Sequence, residues 1–236
     1  MIKEIIDKLV ALLAVSALLA SCSESELWQN PQTEARDGYI MLNFKTEIPA
    51  MQEVVTRAVD PDGGGVQDMT LFCFDSYGLF ISTVKAGVTV QKPGPGEMEG
   101  TFKAEVPENT RTIHFLANQN MDEFKEDSFR NKSESEVMAV LEGSSGRMIY
   151  WGRFACDAGN DSNIAEQMAT SGNPCKLIRN PARISVDNPD NNGHIVITGL
   201  AVCNTNAFGT VAPHHPKKGF DFTWPSSDDP FVTLPV

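Results

Sequence analysis

The sequence has no CxxC pair among its five cysteines and no Lys-Ser/Thr after its one glycine run, Gly63-Gly64-Gly65. It has no apolar run of the roughly 20 residues that a helix needs to cross a bilayer. It also has no excess of positive charge: 19 Lys and Arg stand against 31 Asp and Glu, a formal net charge of −12. Each absence removes a class of function. Paired thiols for zinc or redox chemistry are missing. A phosphate-binding loop is missing. Without a basic stripe the chain offers nothing to a phosphate backbone, so nucleic acid is not expected as a partner. Hydrophobic residues still make up 41% of the chain, enough for a packed core. The 236 residues leave room for one large domain or two small ones.

What is present begins with LVALLAVSALLA (residues 9–20), flanked upstream by Lys3 and Lys8. The run is too short for an anchor and fits the apolar region of a secretion signal. Leu19-Ala20-Ser21-Cys22 follows, and it resembles the lipobox of bacterial lipoproteins, in which the cysteine is acylated and becomes the new N-terminus. Residues 1–21 are therefore expected to be a lipoprotein signal peptide and Cys22 the lipidation site. Several acyl chains on Cys22 make a durable tether, because each buried methylene contributes about 0.8 kcal/mol and a single chain holds only marginally. Ser23-Glu24-Ser25-Glu26 resembles the acidic tag of lipoproteins carried to the outer face of the outer membrane.

Beyond the leader, period two dominates. Residues 101–106 place Phe102, Ala104 and Val106 on one face of a strand. Residues 69–74 (MTLFCF) read as a central strand with both faces covered, followed by the turn Asp75-Ser76-Tyr77-Gly78 and a hairpin partner at 79–84. Residues 39–44 and 113–118 are further strands. Ser133-Glu134-Ser135-Glu136 has capping-box spacing, which predicts a helix carrying Val137, Val140 and Leu141. A second short helix is expected within residues 121–130. Residues 154–174 are polar and without period, and read as a linker or long loop. Past them, Asn191-Asn192-Gly193 marks a hairpin, Phe220, Phe222 and Trp224 alternate, and residues 231–234 suggest a last strand.

No catalytic constellation emerges. His114 sits in a strand and His194 beside a turn, neither with a nucleophile in view, and the adjacent His214 and His215 read as solvated loop. The expectation is no enzyme, no metal and no cofactor. In an exported chain Cys156 and Cys175 bracket a segment that a disulfide can close, although spacing does not settle connectivity. Cys73 and Cys203 lie among strand-like apolar neighbours, where buried, inert thiols are expected.

Several segments together resemble the fimbrillin family, the lipoprotein-precursor subunits of type V pili. These are Val55-Thr56-Arg57-Ala58-Val59, the hairpin from Asp68 to Gly78, Ile113-His114-Phe115-Leu116-Ala117-Asn118, Met148-Ile149-Tyr150-Trp151-Gly152, and residues 177–186. The resemblance implies a mostly β chain. Its domain order would be signal peptide 1–21, propeptide 22–57 with one strand, an antiparallel transthyretin-like β-sandwich at 58–153 with a helical insertion, and a second, short or truncated β domain at 154–236. It also implies proteolytic processing between Arg57 and Ala58. Partners would be other pilin subunits, joined by strand exchange, with the outer membrane engaged through Cys22 and adhesion to host surface proteins or glycans. The alternative is a free-standing surface lipoprotein that binds a glycan or host protein, with Trp28, Trp151 and Trp224 as stacking aromatics.

Overall fold

The structure, a computed structural model, describes residues 35–48, 65–89, 99–144, 148–172, 174–180, 198–199, 201, 203, 208–215 and 218–223. In chain order its strands are β1 (Tyr39–Glu47), β2 (Met69–Phe74), β3 (Phe80–Lys85), β4 (Gly87–Val88), β5 (Glu99–Pro107), β6 (Thr112–Ala117), β7 (Glu142–Ser144), β8 (Tyr150–Ala155), β9 (Cys175–Lys176), β10 (Ile178–Arg179), β11 (Phe208–Thr210), β12 (His214–His215) and β13 (Gly219–Phe220). Among the described residues two helices interrupt them, α1 (Glu134–Val140) and α2 (Ile164–Ser171).

The chain is mostly β, and its two main sheets face each other as in a β-sandwich. One has the order β4-β5-β1-β9, the other β10-β8-β6-β2-β3. All pairings are antiparallel except β1 with β9. Alternation in sequence becomes alternation in burial. On β1, Ile40, Leu42, Phe44 and Thr46 point inward, and on β5 Phe102, Ala104 and Val106 do the same. The four-stranded sheet thus keeps one face in water. Every residue of β2 and β6 is buried, because the five-stranded sheet is covered on both sides.

One core fills the space between the sheets, with Leu42, Phe44 and Phe102 meeting Leu71, Ile113 and Phe115. A second lies on the outer face of the five-stranded sheet, where Phe72, Phe74, Leu116 and Trp151 are roofed by Phe129, Val137, Met138 and Val211. The helical insertion therefore covers a sheet. Its capping box forms as expected, with Ser133 Oγ accepting from Glu136 N and Glu136 Oε2 accepting from Ser133 N. Val140 is exposed, Leu141 follows the helix, and only a 3-10 turn, Glu126–Phe129, forms within residues 121–130.

Residues 154–174 differ most from their reading as linker. They contain the end of β8 and all of α2, capped by Asn163 Oδ1 accepting from Glu166 N at 3.0 Å and ended by Gly172 at φ +61°. Ile164, Ala165 and Gln167 are buried. Two turns of helix are too short for a period to emerge from so many polar residues. Just beyond, β9 and β10 enter different sheets, joined by the buried Leu177. The crossing passes against Gly152 of β8, where a Cβ would come within 2.5 Å of the Lys176 carbonyl. Only glycine fits there.

Candidate functional site

β1 is the described strand that lies just before residues 49–64. It is aligned with β5 along its full length, from Tyr39 opposite Pro107 to Glu47 opposite Glu99. On its other side it meets β9 only at Thr46 and Glu47, and Glu47 O also accepts from Leu177 N at 2.7 Å. Its start is anchored by a turn at Gly38, φ +77°, and by Arg36, whose Nε donates to Glu105 Oε2 at 2.9 Å and whose guanidinium lies 4.3 Å from the Tyr39 ring centre. The backbone N–H of Arg36 also bonds Glu105 and is the main reason that carboxyl titrates below its usual range.

The seat of β1 is apolar and deep. Phe44 stacks on Phe102 of β5 at 5.8 Å and meets Phe115 of the opposite sheet at 5.0 Å. Ile40, Leu42, Phe44 and Ile48 are each no more than 6% exposed. Burying side chains of this kind stabilises by about 1.5–3 kcal/mol apiece. Four of them together are comparable to the roughly 5–15 kcal/mol that holds a whole domain together. A sandwich stripped of β1 cannot leave the seat empty. It would expose both the apolar trough and the nine-residue edge of β5, a ready template for another strand.

Residues 49–64, which carry Arg57 and Ala58, connect β1 to the rest of the chain. Cys22, Arg57 and Ala58 lie outside the described residues, as do Trp28, Trp224 and the segments expected to pair around Asn191-Asn192-Gly193 and at 231–234. On the far side of residues 49–64 the chain is stapled by Asn118. That residue adopts φ +64°, a conformation asparagine tolerates. Its Oδ1 accepts from Gln67 N at 2.7 Å, and its Nδ2 donates to Gly65 O at 2.8 Å and Met148 O at 3.1 Å. The staple's only sequence signal was an asparagine ending a strand.

A second cluster lies on the other face of the five-stranded sheet. Trp151 Nε1 donates to His114 Nδ1 at 3.0 Å, and His114 Nε2 lies 2.7 Å from Glu134 Oε2. An indole N–H can only donate, so the neutral ring carries its proton on Nε2 and gives it to Glu134. Arg153 completes the set with Nε to Glu134 Oε2 at 2.7 Å and Nη2 to Oε1 at 3.2 Å. Burial pushes His114 below its ordinary value and keeps it neutral. Burial alone would raise Glu134, but the hydrogen bonds from His114 and Arg153 outweigh it and hold the carboxyl at about 2. Both ring nitrogens are engaged, and the cluster ties α1 to β6 and β8. Trp151 is buried within it and presents no face on which a sugar can stack.

The described cysteines are all free. Burial raises the Cys73 thiol to about 12 and raises Cys175 further, which keeps both inert. Cys156 is half-buried and unpaired with Cys175, so the closed loop allowed by their spacing does not form. Cys203 is exposed, contrary to the buried position its neighbours suggested. His214 and His215 form β12 against β13, with the His214 ring edge-on to Phe220 at 4.9 Å. They are a strand and not a loop. Comparison of the chain with family models, with curated proteins and with solved structures gives no match.

Proposed function

We propose that this chain is a structural subunit of a cell-surface fimbria, of the fimbrillin type, serving as stalk, tip or accessory pilin and supporting adhesion. In this reading it is exported as a lipoprotein held in the outer membrane through Cys22 and trimmed by hydrolysis of the Arg57–Ala58 bond. It then assembles by accepting a strand from a neighbouring subunit. The sandwich is of transthyretin-like type, and its sheets take in β9 and β10 from the stretch expected as a second β domain. The proposal assigns the chain no catalytic step.

One observation carries it: β1, the strand encoded just before Arg57, fills an apolar seat paired along all of β5. Hydrolysis after Arg57 removes the covalent link that keeps β1 there. Strand addition then supplies main-chain hydrogen bonds for affinity and alternate side chains for register. To test it, the intact chain is treated with an arginine-specific protease and followed by electrophoresis in mild denaturant. Ladders that appear only after cleavage support the reading, and a protein that stays monomeric when cut after Arg57 removes it.

A free-standing surface lipoprotein that binds a glycan or host protein draws on Tyr77. Its side chain is 87% exposed on a turn fixed by Asp75 Oδ1, which accepts from Tyr77 N at 2.8 Å and Leu79 N at 2.9 Å. Such a protein keeps Cys22 and remains a monomer, so the same experiment separates the two readings.

A further inference from the structure

Thr46 is the exception on the inward face of β1. Ile40, Leu42, Phe44 and, just past the strand, Ile48 are apolar, whereas Thr46 brings a hydroxyl. The residue is fully buried, and its Oγ1 has no hydrogen-bond partner among the described residues. Its shape suits the strand, since β-branched side chains fit extended backbone. The hydroxyl does not suit the site. Across the parallel pairing stands Cys175, itself buried, and α2 contributes Ile164 and Ala165 to the same core. A hydroxyl taken out of water without a partner costs free energy that an isosteric methyl does not.

We infer that Thr46 makes β1 a provisional occupant of its own seat. The occupant the seat prefers is an extended segment of a neighbouring subunit that alternates apolar residues and places valine or isoleucine beside Cys175. This rests on the strand-donation reading above and adds to it the direction of exchange and the residue that sets it. Replacing β1 by such a segment keeps the main-chain ladder and exchanges a buried, unpaired hydroxyl for a methyl group, so exchange runs downhill. Register is fixed as well, because a slip of one residue turns the apolar face outward. A slip of two would place a different side chain in the space where Phe44 meets Phe102 and Phe115.

Two measurements on the full chain test this. In the intact protein, Thr46→Val is expected to raise the folding equilibrium constant about tenfold, the effect of removing one unsatisfied buried hydroxyl, while Thr46→Ser is not. In protein hydrolysed at Arg57–Ala58 with both fragments still associated, synthetic peptides spanning residues 39–48 compete with labelled β1. The peptide with Val at position 46 is expected to displace β1 at about one tenth the concentration needed by the Thr peptide. Equal potency, together with an unchanged denaturation midpoint for Thr46→Val, overturns the inference and leaves strand donation standing. If neither peptide displaces β1 while Thr46→Val still stabilises the intact chain, the strand-donation reading fails and the inference falls with it.

Discussion

Phe44 and Phe115 meet across the sandwich with ring centres 5.0 Å apart, one contributed by the strand that precedes Arg57 and the other by the central strand of the opposite sheet. The contact couples a short N-terminal segment to the core of everything after it. Phe44→Ala should destabilise the uncut chain by about 3–5 kcal/mol, as for other buried phenylalanines. Urea denaturation reads the change, and a loss below about 1 kcal/mol would show that β1 is not seated as described.

Acid should weaken the fold through Glu134. Its carboxyl titrates at about 2 in the folded chain against an ordinary 4.5. A depressed folded value means the stabilisation is fully present above 4.5 and disappears as pH falls toward 2. The buried His114 acts in the same direction from a higher starting point, because the unfolded state takes up its proton below about 6.5 and the folded state resists. Glu134→Gln should cost about 2 kcal/mol at pH 6, allowing for solvent screening of the partly exposed carboxylate. Denaturation curves of the two proteins, taken from pH 7 down to 2, should converge at the acid end.

Gly152→Ala should destabilise by about 1–3 kcal/mol, since the added methyl meets the Lys176 carbonyl and the Leu177 side chain where the chain crosses between sheets. Thermal unfolding measures it. An unchanged transition would mean that residues 175–179 do not pass over β8.

Ser133→Ala should cost about 1 kcal/mol, the value of an N-cap, and Ser133→Asp should retain most of it. The measurement is again the denaturant midpoint.

Much of the sandwich was legible from residues alone. The nearly continuous apolar run MTLFCF foretold a strand covered on both faces, and strict alternation in residues 101–106 foretold one that keeps a face in water. The capping box was legible because its signal is local, Ser133 and Glu136 three residues apart. What escaped was set by tertiary contact. The α2 helix is held by Asn163 at its start and by Ile164 and Ala165 against the core, a stripe too short to show among Asp, Asn and Ser. The crossing at Leu177 depends on a glycine 25 positions earlier in the chain, which no local window connects. His114 read as an isolated strand histidine because its partners, Glu134, Trp151 and Arg153, come from two other elements.

The most direct test of the central claim is the intact mass of this chain recovered from assembled surface fibres. The account predicts a polypeptide that begins at Ala58, free of lipid, with its own β1 gone and the seat filled by a neighbour's strand. A chain in those fibres that still begins at an acylated Cys22 and retains β1 contradicts it.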